Sequence, residues 1–297
     1  IHVNYSTFDG NDTLYAKLKA NPNIGYDVIV PSSYFVDRMR REHMLRKIDK
    51  SQLPNIVHLN KDLLNKPFDP KNDYSLPYFW GTTGIVVNKK YFNPADVQSW
   101  SDLWKPEFKN QIMMLDDTHD VFSMGLMVLG YPASDANPQH IYQAYLKLKT
   151  LMPNVKLFNV QAVKVNYIDE DATIGMAYSG DAYSASLENP DLVYIFPKDG
   201  FVEWIDCMAI PKYAPHVANA YKFMNFIMRP DIAAKLSEEM GYSSPNVDAT
   251  KLLPKKLRSN YIVYPSEETL KRAQFEEDPK GANKLYEKYM EYLKIGA

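Results

Sequence analysis

The stretch "YDVIVPSSYFVDRMRREHML", residues 26–45, changes its hydrophobic period halfway along. Val28, Ile29 and Val30 form a continuous apolar run, the pattern of a strand covered on both faces. Pro31, Ser32 and Ser33 then make a polar turn, and the residues that follow alternate with helical spacing. Strand, turn and amphipathic helix follow one another within twenty residues. The same order recurs in "QIMMLDDTHDVFSMGLMVLGY" (111–131), in "TIGMAYSGDAYSASLE" (173–188) and in "CMAIPKYAPHVANAYKFMNFIM" (207–228), after which Pro230 and Asp231 open another helix. This repeated alternation predicts an α/β architecture with mostly parallel sheets. In such sheets ligands bind at the carboxyl ends of strands, where these turns fall.

Outward from that stretch, "IHVNYS" (1–6) alternates Ile1, Val3 and Tyr5 with polar residues and reads as a strand. "DGNDTLYAKLKANP" (9–22) predicts a helix capped by Asn11 or Asp12, with Leu14 and Leu18 on one face and Pro22 closing it. "FVEWIDCMAIP" (201–211) is a strand with a carboxylate inside it. Alternation puts Trp204, Asp206 and Met208 on one face and Glu203, Ile205 and Cys207 on the other. Asp206 is then either a solvated residue at a strand end beside a core tryptophan, or a buried charge set against an aromatic wall. Near the other end, "KGANKLYEKYMEYLKIG" (280–296) predicts a helix packing through Leu285, Tyr289 and Leu293. The chain has no internal repeat and no low-complexity tract.

Composition removes several classes of function. A length of 297 residues is ample for two domains. A net charge of −2, without any dense Lys/Arg stripe, argues against nucleic acid as a partner. No apolar run approaches the roughly 18–20 residues of a membrane span. The single cysteine, Cys207, can form neither an intrachain disulfide nor a redox or metal motif, and reads as a buried thiol. The 22 tyrosines are numerous, and rings with a polar handle suit a binding cleft.

The turns after the strands collect a consistent chemistry: Ser32, Ser33 and Tyr34; Asp116, Asp117 and Asp120; Tyr178, Ser179 and Asp181. "DDTHD" is also ordinary helix-start chemistry, with Asp116 or Asp117 as the cap, Asp120 in the first turn and His119 facing solvent. Asp117 and Asp120 share a helix face, and the helix N-terminus favours ionisation of both. None of these turns carries a lysine, an arginine or a glycine-rich loop, so an anion or sugar phosphate is a poor fit. A hard metal ion wants oxygens without aromatic walls, and zinc wants His or Cys beside the acids. Carboxylates beside flat rings suit organic ammonium groups, di- and polyamines best of all. No cofactor is implied.

The motifs "DVIVPSSYFVDRM", "KIDKSQLPN", "LLNKPFDPKNDYSLPYFWG", "SWSDLWKPEFK", "DDTHDVFSMGLMVLGY", "LMPNV", "WIDCMAIP" and "MGYSSPN", in this order, run over essentially the whole chain. They resemble the bacterial periplasmic spermidine/putrescine-binding proteins, the solute receptors of ATP-dependent polyamine importers. The resemblance implies a type II-like periplasmic-binding-protein fold, two discontinuous lobes with a hinge and a central cleft. Lobe one would hold residues 1–81 with 206–250, and lobe two 82–205 with 251–297, with crossovers near 81–84 and 203–206. It also implies a periplasmic location, a precursor with a signal peptide, a membrane permease as partner, no catalysis, and a monomer when full length. Under it, Asp117 and Asp120 meet ammonium groups, Tyr34 and Tyr178 are cleft aromatics, Ser32 and Ser33 form a hydroxyl turn, and Trp204 with Asp206 forms a tryptophan–aspartate pair.

Three positions depart from the family pattern. Tyr178 stands where a larger tryptophan is frequent, Glu276 where glutamine is frequent, and Asp181 at a position often uncharged. Family members also begin earlier, with a further strand, turn and helix, and the expectation is that this unit would lie between residues 1–6 and 26–31 and supply further aromatics. Two rival readings remain on residue chemistry. Paired carboxylates flanking rings are also the apparatus of glycoside hydrolases, with Asp117 or Asp120 as acid and Asp206 as nucleophile or base. The same fold also serves receptors for sugars, opines or ferric iron, the last through tyrosinate.

Overall fold

A computed structural model describes residues 1–296. The helices are α1 Asn11–Ala20, α2 Ser33–Arg41, α3 Thr118–Val128, α4 Pro138–Lys149, α5 Val163–Ile168, α6 Ser179–Glu188, α7 Val217–Ile227, α8 Pro230–Met240, α9 Val247–Leu252, α10 Lys255–Arg258, α11 Glu267–Leu270 and α12 Asn283–Ile295. The strands are β1 Ser75–Asn88, β2 Ile112–Met114, β3 Val155–Phe158, β4 Ile174–Tyr178, β5 Leu192–Ile195, β6 Phe201–Ala209 and β7 Ala273–Phe275. This is a mixed α/β chain. It divides into two compact units, Ile1–Trp80 with Trp204–Ser259, and Gly81–Glu203 with the residues from Asn260 onward. β1 and β6 each begin in one unit and end in the other.

The first unit packs around Leu53, Leu59, Leu76, Met208, Ile210, Tyr221 and Met224. α1 buries Leu14 and Leu18 as its spacing predicts, with Tyr15 beside them, but its N-cap is Gly10 and no side chain caps it. Pro230 occupies the first turn of α8, where its missing N–H leaves no partner wanting. α9 packs on α8 and stays in this unit, so the chain leaves it after Ser259 and not at residue 250.

Two predicted strands of this unit are not strands. Residues 26–31 make isolated antiparallel bridges to β6, Ile29 with Ala209 and Ser32 with Asp206. Ile29 exchanges both backbone hydrogen bonds with Ala209 at 2.9 Å. Pro31, which has no N–H, then interrupts the ladder. Residues 1–6 form no strand, and Ile1, Val3 and Tyr5 are exposed. Alternation specifies which faces a strand would show, but hydrogen-bonding partners make it a strand, and these residues have no ladder.

In the second unit β2 pairs in parallel with β3 and with β4, while β1 runs antiparallel to β4 and β5. Residues 201–203 of β6 pair in parallel with β7. The sheet is therefore mixed, not mostly parallel. Gly175 permits the closest approach within it: its φ is +145°, and a Cβ there would stand 2.1 Å from the Met113 carbonyl oxygen. α3 is buried along nearly its whole length and packs on α4 and α12. α12 buries Tyr286, Met290 and Leu293, so its inner stripe is turned from the predicted Leu285–Tyr289–Leu293 line, which leaves Leu285 and Tyr289 half-buried.

Candidate functional site

In the first unit, the short run of bridges lays the turn after residue 30 against β6. Ser32 donates its hydroxyl proton to Asp206 Oδ1 at 2.7 Å. Asn11, the first residue of α1, holds Ser32 from the other side: its Oδ1 accepts the Ser32 backbone N–H at 3.0 Å, and its Nδ2 donates to Ser32 Oγ at 3.1 Å. Asp206 keeps part of its surface exposed, but the crowding around it raises its pKa to about 6, with the Ser32 hydrogen bond opposing that rise. Trp204, two residues earlier on the same strand face, is 7% exposed and meets the Tyr242 ring edge-on at 5.6 Å. Of the two readings of this strand, the solvated strand end does not hold.

The other residues of the hydroxyl turn open α2. Ser33 starts α2 and is fully buried, and Tyr34 is 4% exposed with its ring 4.7 Å from that of Phe35. Two aromatics missing from the sequence reading adjoin this strand pair, Tyr78 near Asp206 and Tyr242 against Trp204. Tyr78 has its hydroxyl pKa raised by burial and by the nearby Tyr5 and Asp206, and Tyr242 walls Trp204. Tyr242 follows Gly241, whose left-handed conformation ends α8, so the Gly–Tyr pair after an amphipathic helix was the available signal.

In the second unit, parallel pairing of β2 and β4 brings their carboxyl ends to the same sheet edge. Each strand hands over to a helix there. Asp117 is the N-cap of α3, its Oδ1 accepting from the backbone N–H of His119 at 2.8 Å and of Asp120 at 3.2 Å. Asp120, in the first turn, is 4% exposed, and its Oδ1 has no hydrogen-bond partner among the described residues. Burial, followed by repulsion from Asp117, raises the Asp120 pKa to about 8, against the smaller opposing pull of Thr83 and Tyr178. The expectation that the helix N-terminus keeps both acids ionised therefore fails for Asp120. A helix terminus contributes about 0.3–1 kcal/mol, too little against desolvation of this depth. His119 does not face solvent either: it is 8% exposed and stacks on Tyr286 at 5.7 Å.

Tyr178 ends β4 and is half-buried at the head of α6, directly opposite Thr83 in the β1–β4 ladder. Asp181 lies half-buried in the first turn of α6. Glu276 follows β7, is 4% exposed, and donates its backbone N–H to the Glu203 carbonyl at 2.9 Å. Tyr194 of β5 lies near Asp120 and ties its hydroxyl to the Thr82 carbonyl at 3.1 Å.

The shared feature of the two sets is an acid pushed toward neutrality with no cation to offset it. No lysine or arginine is among the groups acting on Asp120 or Asp206. No group of three or more His, Cys, Asp or Glu is placed to hold a metal ion among the described residues. Each set can accept hydrogen bonds from a cationic donor and present aromatic carbon beside it.

Residues 1–260 match the family described as bacterial extracellular solute-binding protein. The chain is 44% identical over 296 residues, all of its length and 85% of the relative's, to the spermidine/putrescine-binding periplasmic protein of Escherichia coli. It is 40% identical to spermidine/putrescine-binding periplasmic protein 1 of Haemophilus influenzae, over 99% of this chain and 82% of that one. Among solved structures, the substrate-binding protein of a spermidine/putrescine ABC transporter from Streptococcus pneumoniae superposes with a TM-score of 0.83 at 35% identity, covering 99% of this chain and 90% of the other. Two compact α/β units, each carrying an uncompensated acid beside aromatic rings, together with these likenesses, place the chain in the bacterial extracellular solute-binding protein family.

Proposed function

We propose that this protein is the periplasmic receptor of an ATP-dependent importer, that it binds putrescine or spermidine, and that it delivers the ligand to a membrane permease without changing it chemically. The observation that carries the reading is Asp120, a carboxyl buried to 4% exposure whose Oδ1 has no hydrogen-bond partner among the described residues. Burying a charge without a partner costs several kcal/mol. An arriving ammonium group supplies both the missing charge and the missing donor. Asp206, held by Ser32 beside Trp204, is suited to a second ammonium group in the same way. Asp117, Tyr178, Asp181, Trp204 and Glu276 complete the proposed ligand-binding set. Ser32, Ser33 and Tyr34 at the turn into α2 belong to the same proposed set, Ser32 through its hydrogen bond to Asp206. The relatives named for spermidine and putrescine support the same class of ligand. Metal and nucleic acid have no place in this reading.

Calorimetric titration with putrescine, spermidine, spermine and lysine tests it. The expected result is one site per chain with a micromolar or tighter dissociation constant, about −8 kcal/mol or better, for at least one polyamine. Mass spectrometry of the recovered ligand is expected to show it unaltered. Absence of binding heat and of a thermal shift with every amine would overturn the proposal, and conversion of the ligand would replace the receptor by an enzyme.

A further inference from the structure

Thr83 is 1% exposed, and its hydroxyl has no hydrogen-bond partner among the described residues. A buried hydroxyl left without a partner is disfavoured, because it has given up its hydrogen bonds to water and gained none in return. Its neighbours have settled otherwise: Thr82 pairs its hydroxyl with that of Tyr194 at 3.0 Å, and its backbone N–H with Ser179 Oγ at 3.2 Å. Thr83 sits opposite Tyr178 in the β1–β4 ladder and stands close enough to the Asp120 carboxyl to lower its pKa. The Thr83 hydroxyl and Asp120 Oδ1 are thus both buried without a partner in the same unit, near enough for the hydroxyl to act on the carboxyl.

We propose that Thr83 is a positioning residue of the binding site, its hydroxyl held in reserve to donate to Asp120 when an incoming ammonium group ionises that carboxyl. The inference rests on the polyamine reading for its ligand, and on the placement of Thr83 alone for its action on Asp120. The groups facing Asp120 are Asp117 on α3, Tyr178 at the end of β4, Tyr194 on β5 and Thr83 on β1. Asp117 repels the ionised form, and its Oδ1 is occupied by the α3 cap. Tyr194 spends its proton on the Thr82 carbonyl. Thr83 and Tyr178 remain as donors, and the Thr83 hydroxyl is the buried one with no hydrogen-bond partner among the described residues. A site that must be neutral when empty and ionised when full gains from a donor that is committed only in the second state.

The test compares Thr83→Val, which keeps the shape and loses the hydroxyl, with Thr83→Ser, which keeps the hydroxyl. Carbon-13 NMR titration of the Asp120 carboxyl in the ligand-free protein is expected to show Thr83→Val titrating at least about half a pH unit higher than the parent, and Thr83→Ser close to it. Putrescine affinity at pH 7 is expected to fall about 3- to 10-fold in Thr83→Val, with the deficit narrowing as the pH is raised through 8, and to stay within about 2-fold in Thr83→Ser. An Asp120 titration unchanged in Thr83→Val, or equal effects from Val and Ser, would overturn the proposal. If the parent protein binds no polyamine while Thr83→Val still moves Asp120, the ligand assignment fails and the positioning role stands.

Discussion

Binding is expected to expel a proton, because the ligand requires an ionised carboxyl where the empty protein keeps a neutral one. With Asp120 titrating at about 8 and Asp206 at about 6, the affinity for an ammonium ligand is lowered by a factor of 1 + 10^(pKa − pH) for each acid. For Asp120 that factor is about 100 at pH 6 and about 2 at pH 8; for Asp206 it is about 2 and about 1. Affinity is therefore expected to rise about 100-fold from pH 6 to pH 8, about 2.7 kcal/mol, while alkylammonium groups of lysine-like pKa stay charged throughout. At pH 7 about one proton leaves per ligand, about 0.9 from Asp120 and the remainder from Asp206. Calorimetry in phosphate and in Tris at pH 7 reads this number directly, since the two buffers take up a proton with different heats. Asp120→Asn is expected to bind more weakly at pH 8 and to keep only the roughly 2-fold pH dependence that Asp206 supplies. An affinity flat between pH 6 and 8, with a binding heat independent of buffer, would refute the picture of Asp120 as an acid ionised by its ligand.

The same protonation has a stability signature of definite sign. A carboxyl whose pKa is higher folded than unfolded binds more protons in the native state, so the ligand-free protein is expected to melt at progressively lower temperature as the pH rises from about 4 to about 8, and putrescine to recover more of the loss at the upper end. Asp206→Asn, by titration calorimetry at pH 8, is expected to weaken polyamine binding by about 2–4 kcal/mol, and Trp204→Ala to weaken it as well; full affinity in both would make the strand pair purely structural. Asp117→Ala removes the α3 cap and is expected to lower stability by about 1 kcal/mol in denaturant unfolding, whereas Asp117→Asn, which can still cap, is expected to leave stability near the parent's. Gly84→Ala would set a Cβ 2.6 Å from the Tyr194 ring and 2.7 Å from the Ile195 carbonyl oxygen, so a loss of about 1–3 kcal/mol is expected, and a neutral result would show that β5 yields easily.

Legibility in the sequence followed the physics of each segment. "QIMML", "IGMAY" and "FVEWIDCMA" read as strands because their apolar runs are bounded by turn chemistry, and they are β2, β4 and β6. "YDVIV" has the same composition, but the proline at its end cannot donate to β6, and the two contacts on either side of it are left as isolated bridges in place of a ladder. The cap at Asp116 or Asp117 and the place of Asp120 in the first turn of α3 were legible; the burial that drives Asp120 toward neutrality was not, because it depends on what packs over that turn. One residue of register decides which carboxylate turns back to cap the helix and which is driven into the core. Thr83 was invisible for a related reason: a threonine inside an apolar strand looks like an ordinary β-former, and only tertiary packing leaves its hydroxyl without an acceptor.

The chain of contacts running from Asn11 through Ser32 to Asp206 has a direction built into it. A backbone N–H can only donate, so Ser32 fixes Asn11 Oδ1 as the acceptor and Nδ2 as the donor; the Ser32 oxygen then receives from Asn11, and its one proton goes forward to Asp206. Both side-chain protons in the series, on Asn11 Nδ2 and on Ser32 Oγ, point toward the carboxylate. Above about pH 6 the series ends in lone pairs, so a solute is held there through a donor, an N–H or an O–H turned toward the carboxylate, and never through a bare acceptor oxygen. The polarity of the end group is thereby selected by a side-chain amide two steps upstream, on the first turn of α1. Asn11→Asp would reverse one link of the series, and with it the guarantee that the serine proton faces forward.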